Sequence, residues 1–376
     1  MQAGSCTKRV RRPKSAGASL LLLGFAACGL LIWHGCQGLP ANVANCSSTP
    51  TPPANTSVLP PATEPPPQAL CAFPLTISVP SQSAPVNSPA NVVAVASPPD
   101  ALYWMRVYVD GLAVYYSFTA NINQYIWMPL GQHTIEVVAE DVAGYIATAT
   151  TTVNVTTQLP GIDGIQNMAG WQSCSAALSS GLTCAAGLGT ASSKLIQGQS
   201  SPSLDGTTAE FTLGGSHAYS NELYWYPLGG GNNVTHFTYD LWFYVDDGNA
   251  PQSLEFDVNQ AFGGTRWTWG SQCDFDQTKK WDIWDPLDGK WVPTSVPCKH
   301  FPSNTWEHLI WTLERVGNQV HYITLRVDDQ DYDVDTYYTA QPNWYQEEID
   351  IAFQLDGNYE QQPYNVWLDE VTLDAY

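Results

Sequence analysis

The residues best suited to chemistry in this sequence lie on short runs in which acids, amides and aromatic rings alternate with apolar side chains. Leu254-Glu-Phe-Asp-Val-Asn-Gln260 sets Glu255, Asp257 and Asn259 at alternate positions around Phe256 and Val258. In a strand, alternate side chains leave opposite faces, so the apolar pair enters a core and the polar three share the other side. By the same rule Asp240, Trp242 and Tyr244 face away from Leu241, Phe243 and Val245. Asp350, Ala352 and Gln354 face away from Ile349, Ile351, Phe353 and Leu355, and Tyr322, Thr324 and Arg326 point outward likewise. If these strands are neighbours, one sheet face combines carboxylates, amides and rings. That chemistry suits sugars: hydroxyls pair with planar polar groups, and the apolar side of a pyranose stacks on a ring.

A second concentration of rings runs from Trp267 to Trp306. Five tryptophans (Trp267, Trp269, Trp281, Trp284 and Trp291) fall within 25 residues, beside Cys273 and Cys298. We read this stretch as a loop at the rim of the sugar-facing sheet, with Trp267 and Trp269 as stacking groups. The expected ligand-binding set is therefore Asp240, Trp242, Tyr244, Glu255, Asp257, Asn259, Trp267, Trp269, Asp350 and Gln354.

The elements that must position these groups are strands. Runs such as Thr238–Val245, Ser253–Asn259, His308–Arg315, Gln319–Val327, Glu348–Leu355 and Asn365–Leu373 have period two, and no helical period of useful length intervenes. Over residues 159–376 they predict one large two-sheet jelly roll. In outline this segment resembles the concanavalin A-like lectin/glucanase group, which implies glycan binding or cleavage on the concave sheet. Its one sharp point is the Glu255 strand, which resembles the Glu-x-Asp-x-(x)-Glu strand of glycoside hydrolase families 16 and 7. Glu255 and Asp257 match the nucleophile and its supporting acid, but Asn259 or Gln260 stands where the proton donor belongs. An amide cannot deliver that proton, so the resemblance implies a glycan-facing strand and argues against hydrolysis unless Asp350 or Asp240 substitutes across the sheet.

Residues 72–158 hold shorter runs, including Leu75–Val79, Val92–Val95, Met105–Val109, Thr134–Val138 and Ala147–Val155, punctuated by Asp110-Gly111 and Leu130-Gly131. They predict a seven-strand sandwich. Val107–Gly111, Gly131–Gly144 and the threonine-rich last run resemble a bacterial Ig-like domain, which implies a spacer or adhesion module. The fold class expected for the chain is all-β: an Ig-like sandwich followed by a larger concanavalin A-like sandwich.

Upstream, Lys8, Arg9, Arg11, Arg12 and Lys14 precede an uncharged run from Ser15 to Gly35. Residues 1–38 read as a secretion signal or a membrane anchor, with lipidation at Cys28 or Cys36 as a further alternative. The chain is thus expected to be secreted or displayed at the cell surface, touching a membrane only through this segment. Residues 39–71, with nine prolines between 40 and 70, form a disordered linker. In an exported chain the remaining six cysteines suggest three local disulfides, Cys46–Cys71, Cys174–Cys184 and Cys273–Cys298, although spacing alone does not fix connectivity.

Charge narrows the partners. The 376 residues carry 14 Lys and Arg against 35 Asp and Glu, and beyond residue 38 nine positive charges face all 35 acids. Such a field repels nucleic acid and acidic polysaccharides. No phosphate loop, histidine ligand spacing or serine-nucleophile elbow is present; Gly229-Gly-Gly231 reads as a turn. No cofactor is called for. Calcium is the one ion considered: Asp282, Asp285, Asp288 and Gly289 have threefold spacing rather than the alternate spacing of an EF-hand loop, and Asp329, Asp331, Asp333 and Asp335 alternate but read as a hairpin turn between strands. The function expected is a non-enzymatic protein that binds a neutral polysaccharide or surface glycan. The alternatives are a glycoside hydrolase or polysaccharide lyase using Glu255, and a structural envelope or adhesion protein that binds no sugar.

Overall fold

The computed structural model describes residues 74–97, 102–142, 144–159, 161–174, 191–216, 218–275, 277–327, 329–342 and 347–376. The expected signal or anchor, the proline-rich linker, the Cys46–Cys71 pair and Cys184 lie outside these residues. Cys174 is disulfide-bonded.

The N-terminal sandwich comprises β1 (Leu75–Val79), β2 (Ala84–Ser88), β3 (Ala90–Ala96), β4 (Leu102–Val109), β5 (Leu112–Ser117), β6 (Asn121–Ile126), β7 (Gly131–Asp141) and β8 (Ile146–Gln158). A three-stranded sheet β1-β3-β6 faces a five-stranded sheet β2-β8-β7-β4-β5. Apolar residues at alternate positions of both sheets, among them Val92, Ala94, Val107, Ile122, Ile135 and Val153, fill the space between them. Asp110 and Gly111, with φ of 51° and 80°, turn β4 into β5; two left-handed residues give the twist a tight hairpin needs. Eight strands stand where seven were expected. The extra one, β2, is short, contains Pro85, and pairs in parallel with β8 at the sheet edge, where a missing N–H is tolerated.

The outer side of the five-stranded sheet is not left to solvent. Trp104, Tyr108, Tyr116, Val138 and Ile146 form a second apolar layer on it. Arg106 is buried in that layer, with its guanidinium 5.9 Å from the Trp104 ring and 5.3 Å from that of Tyr116. Its charge is met by Glu347 at 3.0 Å.

The C-terminal sandwich comprises β9 (Gly161–Ile162), β10 (Gln172–Ser173), β11 (Ala191–Gln199), β12 (Thr208–Gly215), β13 (Asn221–Gly229), β14 (His236–Val245), β15 (Pro251–Phe262) and β16 (Thr265–Asp274). It continues with β17 (Lys280–Asp285), β18 (Lys290–Pro297), β19 (Thr305–Val316), β20 (Gln319–Val327), β21 (Gln330–Thr339), β22 (Gln341–Pro342), β23 (Glu348–Gly357) and β24 (Tyr364–Ala375). The front sheet runs β10-β13-β23-β15-β16-β17-β18, with β22 beside β16; the back sheet runs β11-β12-β24-β14-β19-β20-β21, with β9 beside β24. Rings from the two inner faces meet in pairs: Phe211 with Phe353 at 5.1 Å, Phe237 with Trp269 at 5.1 Å and Phe243 with Phe256 at 5.3 Å. Removing any one ring would cost about 3–5 kcal/mol through the cavity left behind. The fold is all-β, as the alternating runs predict.

The tryptophan-rich stretch is not a rim loop. It forms β16, β17 and β18, and Trp267, Trp269 and Trp281 are core residues. Trp267 and Trp269 are therefore removed from the ligand-facing set: they share the phase of Val258 and Phe256 across the ladder, so alternation turns them inward. The Cys273–Cys298 disulfide forms as expected, with Cα atoms 5.5 Å apart. Tyr322 is likewise buried, because the ladder shifts register between Tyr322 and Thr324 and reverses the phase of the strand.

The two sandwiches meet along Gly229-Gly-Gly231. A Cβ on Gly229 would lie 1.5 Å from the Tyr125 carbonyl oxygen, and one on Gly230 1.5 Å from that of Val114. The Trp127 N–H donates to the Gly230 carbonyl at 2.9 Å, and the Gly230 N–H donates to the Tyr125 carbonyl at 3.1 Å. Trp127 belongs to the C-terminal core. The triple glycine expected to be a turn is a backbone-to-backbone seam.

Candidate functional site

The outer face of the front sheet carries one cross-strand row that spans six strands. Trp225 of β13 pairs with Ala352 of β23, which also pairs with Asp257 of β15. Asp257 pairs with Gly270 of β16, and Trp284 of β17 pairs with Trp291 of β18. Gly270 closes the row: a Cβ there would meet the Trp284 Cβ at 3.0 Å, Asp257 Oδ1 at 3.3 Å and Trp291 Cη2 at 3.3 Å. The two indoles stand edge to face, 5.1 Å apart. Trp225, Asp257, Trp284 and Trp291 are all half-buried. With strands ~4.8 Å apart, the row places Trp225 about 19 Å from Trp284. Between the rings lie two small residues and a carboxyl group, so the centre is lower than its ends.

Adjacent rows supply polar groups. Glu255 lies between Gln354 and Gln272, and Asn259 between Asp350 and Thr268. Asn259 donates from Nδ2 to Asp350 Oδ1 at 2.8 Å, and both residues are buried. The buried Asn259 Oδ1 has no hydrogen-bond partner among the described residues. Asp356 accepts from Ser253 Oγ at 2.8 Å and from Gln354 Nε2 at 3.0 Å.

Carboxyl groups on this face are held toward their neutral form. Burial pushes Asp257 up to about 7; Asp350 and Asp356 add to the rise, while the Ser271 N–H and Arg266 oppose it. Burial, reinforced by Asp350, pushes Glu348 up to about 8 against Arg266. Burial raises Asp356 to about 6 and also raises Asp350. Clustered acids with one nearby guanidinium retain protons near neutrality, because ionising them together stores like charge in a poorly solvated place. A protonated carboxyl both donates and accepts, as sugar hydroxyls do.

Five expected residues, Glu255, Asp257, Asn259, Asp350 and Gln354, come together on this face. Asp240, Trp242 and Tyr244 do not: β14 is in the back sheet, and its outward residues point from the opposite side of the sandwich. There His308 Nε2 lies 2.7 Å from Asp240 Oδ1, the His308 ring stacks on Trp242 at 4.2 Å, and Tyr244 packs between Trp306 and Trp367. Asp240 therefore cannot stand in for a proton donor beside Glu255. Asp350 sits beside Asn259 but is four residues along the ladder from Glu255, about 13 Å, too far for a paired carboxylate. Gln260 points inward, with Nε2 donating to the Gly231 and Val234 carbonyls and Oε1 accepting from Arg315.

Most of the acids considered for calcium have other partners, Asp335 lying 3.0 Å from His321 Nε2. Asp282 accepts from Thr278 at 2.8 Å and from Gln272 at 3.3 Å, Asp285 and Asp288 pair with Lys290, and Asp329 and Asp331 pair with Arg326. Among the described residues no group of three or more His, Cys, Asp or Glu could hold a metal ion.

Sequence reasoning missed Trp225, Trp284, Trp291, Glu348 and Asp356 as members of this face. Trp284 was readable: Trp281 and Ile283 are core, so Asp282 and Trp284 must face out. Trp225 was not, since Leu223-Tyr-Trp-Tyr226 is apolar at every position and has no readable phase.

No family model matches the chain, and no curated protein matches it. Among solved structures, a carbohydrate-binding module of the β-sandwich superfamily covers 81% of this chain and 97% of its own, at 14% identity and a TM-score of 0.31. A cellulose-induced protein covers 49% of this chain and 90% of its own, at 13% identity and a TM-score of 0.32. A lectin solved with galactose covers 49% and 92%, at 13% identity and a TM-score of 0.31.

Proposed function

We propose that this protein binds a neutral polysaccharide along the outer face of the front sheet, and that it is exported and displayed at a surface. The observation that carries the reading is the row Trp225, Ala352, Asp257, Gly270, Trp284 and Trp291. Rings at its two ends offer stacking planes, small residues leave depth between them, and flanking amides and protonated carboxyls supply donors and acceptors without a net attraction for anions. A row of this length suits several linked sugar rings rather than one. The basic and apolar N-terminal run and the proline-rich stretch support export and a position held away from the envelope. We infer further that the N-terminal sandwich is Ig-like, on the order of its two sheets.

Affinity electrophoresis of the full chain through neutral gluco-, manno- and xylo-polymers tests the reading. Trp225→Ala and Trp284→Ala should each weaken retardation by about tenfold or more, because each removes the stacking ring at one end of the row. Trp242→Ala, on the back sheet, should leave it unchanged. Loss with Trp242→Ala alone would move the site to the opposite face; no retardation by any polymer would remove glycan binding.

One observation favours a second reading, hydrolysis. Asp257, held near 7, lies diagonally across the ladder from Asp350, about 7 Å away, within the separation of an inverting pair. The pair would replace Glu255 as the reacting carboxyls. Release of reducing ends from the same polymers, abolished by Asp257→Asn, would establish it.

A further inference from the structure

The front row does not stop at Trp225. On the far side of β13 lies β10, whose Gln172 pairs with Trp225. Between the sandwiches is a cleft of about 630 Å3. Its C-terminal wall includes Gln172, Trp225, Pro227 and Glu348; its N-terminal wall includes Asn91, Asn123, Gln124 and Phe118. Trp225 thus belongs both to the row and to the cleft. The volume lies within the ~300–1,000 Å3 range of small-ligand sites.

The N-terminal wall has the same chemistry as the front sheet. Asn91 and Asn123 are exposed on neighbouring strands β3 and β6. Phe118 is 64% exposed and stands edge-on to Tyr116 at 4.8 Å, at the rim of the apolar layer on the five-stranded sheet. Amides beside an open ring are the groups a neutral sugar engages, and among the described residues no basic one lines the cleft.

The wall is also fixed in place. The glycine seam joins the two backbones, and the buried Arg106–Glu347 pair ties the outer layer of the N-terminal sandwich to the residue preceding Glu348. A flexible spacer would need neither. Binding surfaces divided between two bodies retain affinity only if the bodies are held in register, since ordering them on binding costs free energy.

We propose that the N-terminal sandwich is the second wall of the glycan site: one neutral chain lies along the front row, passes Trp225 and enters the cleft, where Phe118, Asn91, Asn123 and Gln124 bind its end. This rests on the front-face reading. It assigns an extended ligand, longer than the front row alone can hold, and a glycan-binding role to a domain whose sequence resemblance implies a spacer or adhesion module.

Calorimetric titration of the full chain with neutral oligosaccharides of about two to eight units, drawn from whichever polymer class retards it, separates the two claims. Affinity should climb with length until the cleft is filled. Phe118→Ala and Asn123→Ala, both at exposed positions that leave the cores intact, should lose the gain of the longest members, about tenfold, and leave the shortest unaffected. Trp284→Ala should weaken every length. Long chains that bind both cleft variants as tightly as the parent, while Trp284→Ala weakens them, would overturn the cleft and leave the front face standing. Indifference to Trp284→Ala and Trp225→Ala, or no binding by any oligosaccharide, would overturn both.

Discussion

Asp257 occupies the centre of the front row, and its surroundings make it a costly carboxylate. It lies beside half-buried indoles, close to Asp350 and Asp356, and accepts a hydrogen bond from the Ser271 N–H at 3.4 Å. A carboxyl held near 7 in the folded chain and near 3.9 when unfolded binds its proton more tightly in the native state. The stabilisation it contributes is complete below pH ~4 and is lost as pH rises through about 7. Glu348 and Asp356 share the direction. Thermal unfolding followed between about pH 5 and 8 should therefore show Tm falling as pH rises, and Asp257→Asn should flatten that fall, raising Tm near pH 8 by on the order of 5 °C. An unchanged slope in the variant would mean that Asp257 is ionised throughout. At this scale the sequence was informative where alternation was clean: Glu255, Asp257 and Asn259 face out as read. It failed where a bulge reversed the phase, as at Tyr322, and where every position was apolar, as around Trp225.

Among the elements, the glycine seam has the strongest consequence. Gly229 has φ of 96° and Gly230 has a neighbouring carbonyl where its Cβ would be, so no side chain fits without separating β13 from β5 and β6. Gly230→Ala should uncouple the sandwiches. Calorimetry is expected to show one cooperative transition in the parent and two in the variant, with the N-terminal sandwich melting first because it loses Trp127's place in the neighbouring core. A single, unshifted transition would show that the seam does not couple them. Nothing in the sequence distinguished this tripeptide from a loop, since a glycine run looks the same whether it turns in solvent or admits another backbone. Period two has a similar blind spot: it tells which side chains leave the core but not which of two sheets they leave from. That is why Asp240, Trp242 and Tyr244, correctly read as outward, proved to lie on the opposite side from Glu255. Arg106 was lost for a related reason, since an outward position on its own sheet is a buried one once Glu347 and two rings cover it.

For the molecule as a whole, charge decides which ligands can approach. The chain carries a formal net charge of −21, and on the front face the carboxyls of Asp257, Glu348, Asp350 and Asp356, held toward their neutral form, outnumber the neighbouring Arg266 and offer a polyanion no cationic site. A polyanion would meet that field across the whole surface and gain little from releasing its counterions, because few cations are available to replace them. A neutral chain held by stacking and by short hydrogen bonds crosses the same field at little cost, since neither interaction acts beyond a Debye length. Affinity for a neutral polymer should accordingly change by less than about twofold between roughly 50 and 500 mM salt, while a uronate polymer of matched length should fail to bind at the low end. Strong low-salt binding of the uronate, falling steeply as salt is added, would require a cationic site that the front row does not contain. It would transfer recognition to Arg266 or to another surface altogether. The same measurement bears on the two-walled site, because the cleft adds amides and rings but no basic residue, and a ligand that spans both walls should be as indifferent to salt as one that occupies the front row alone.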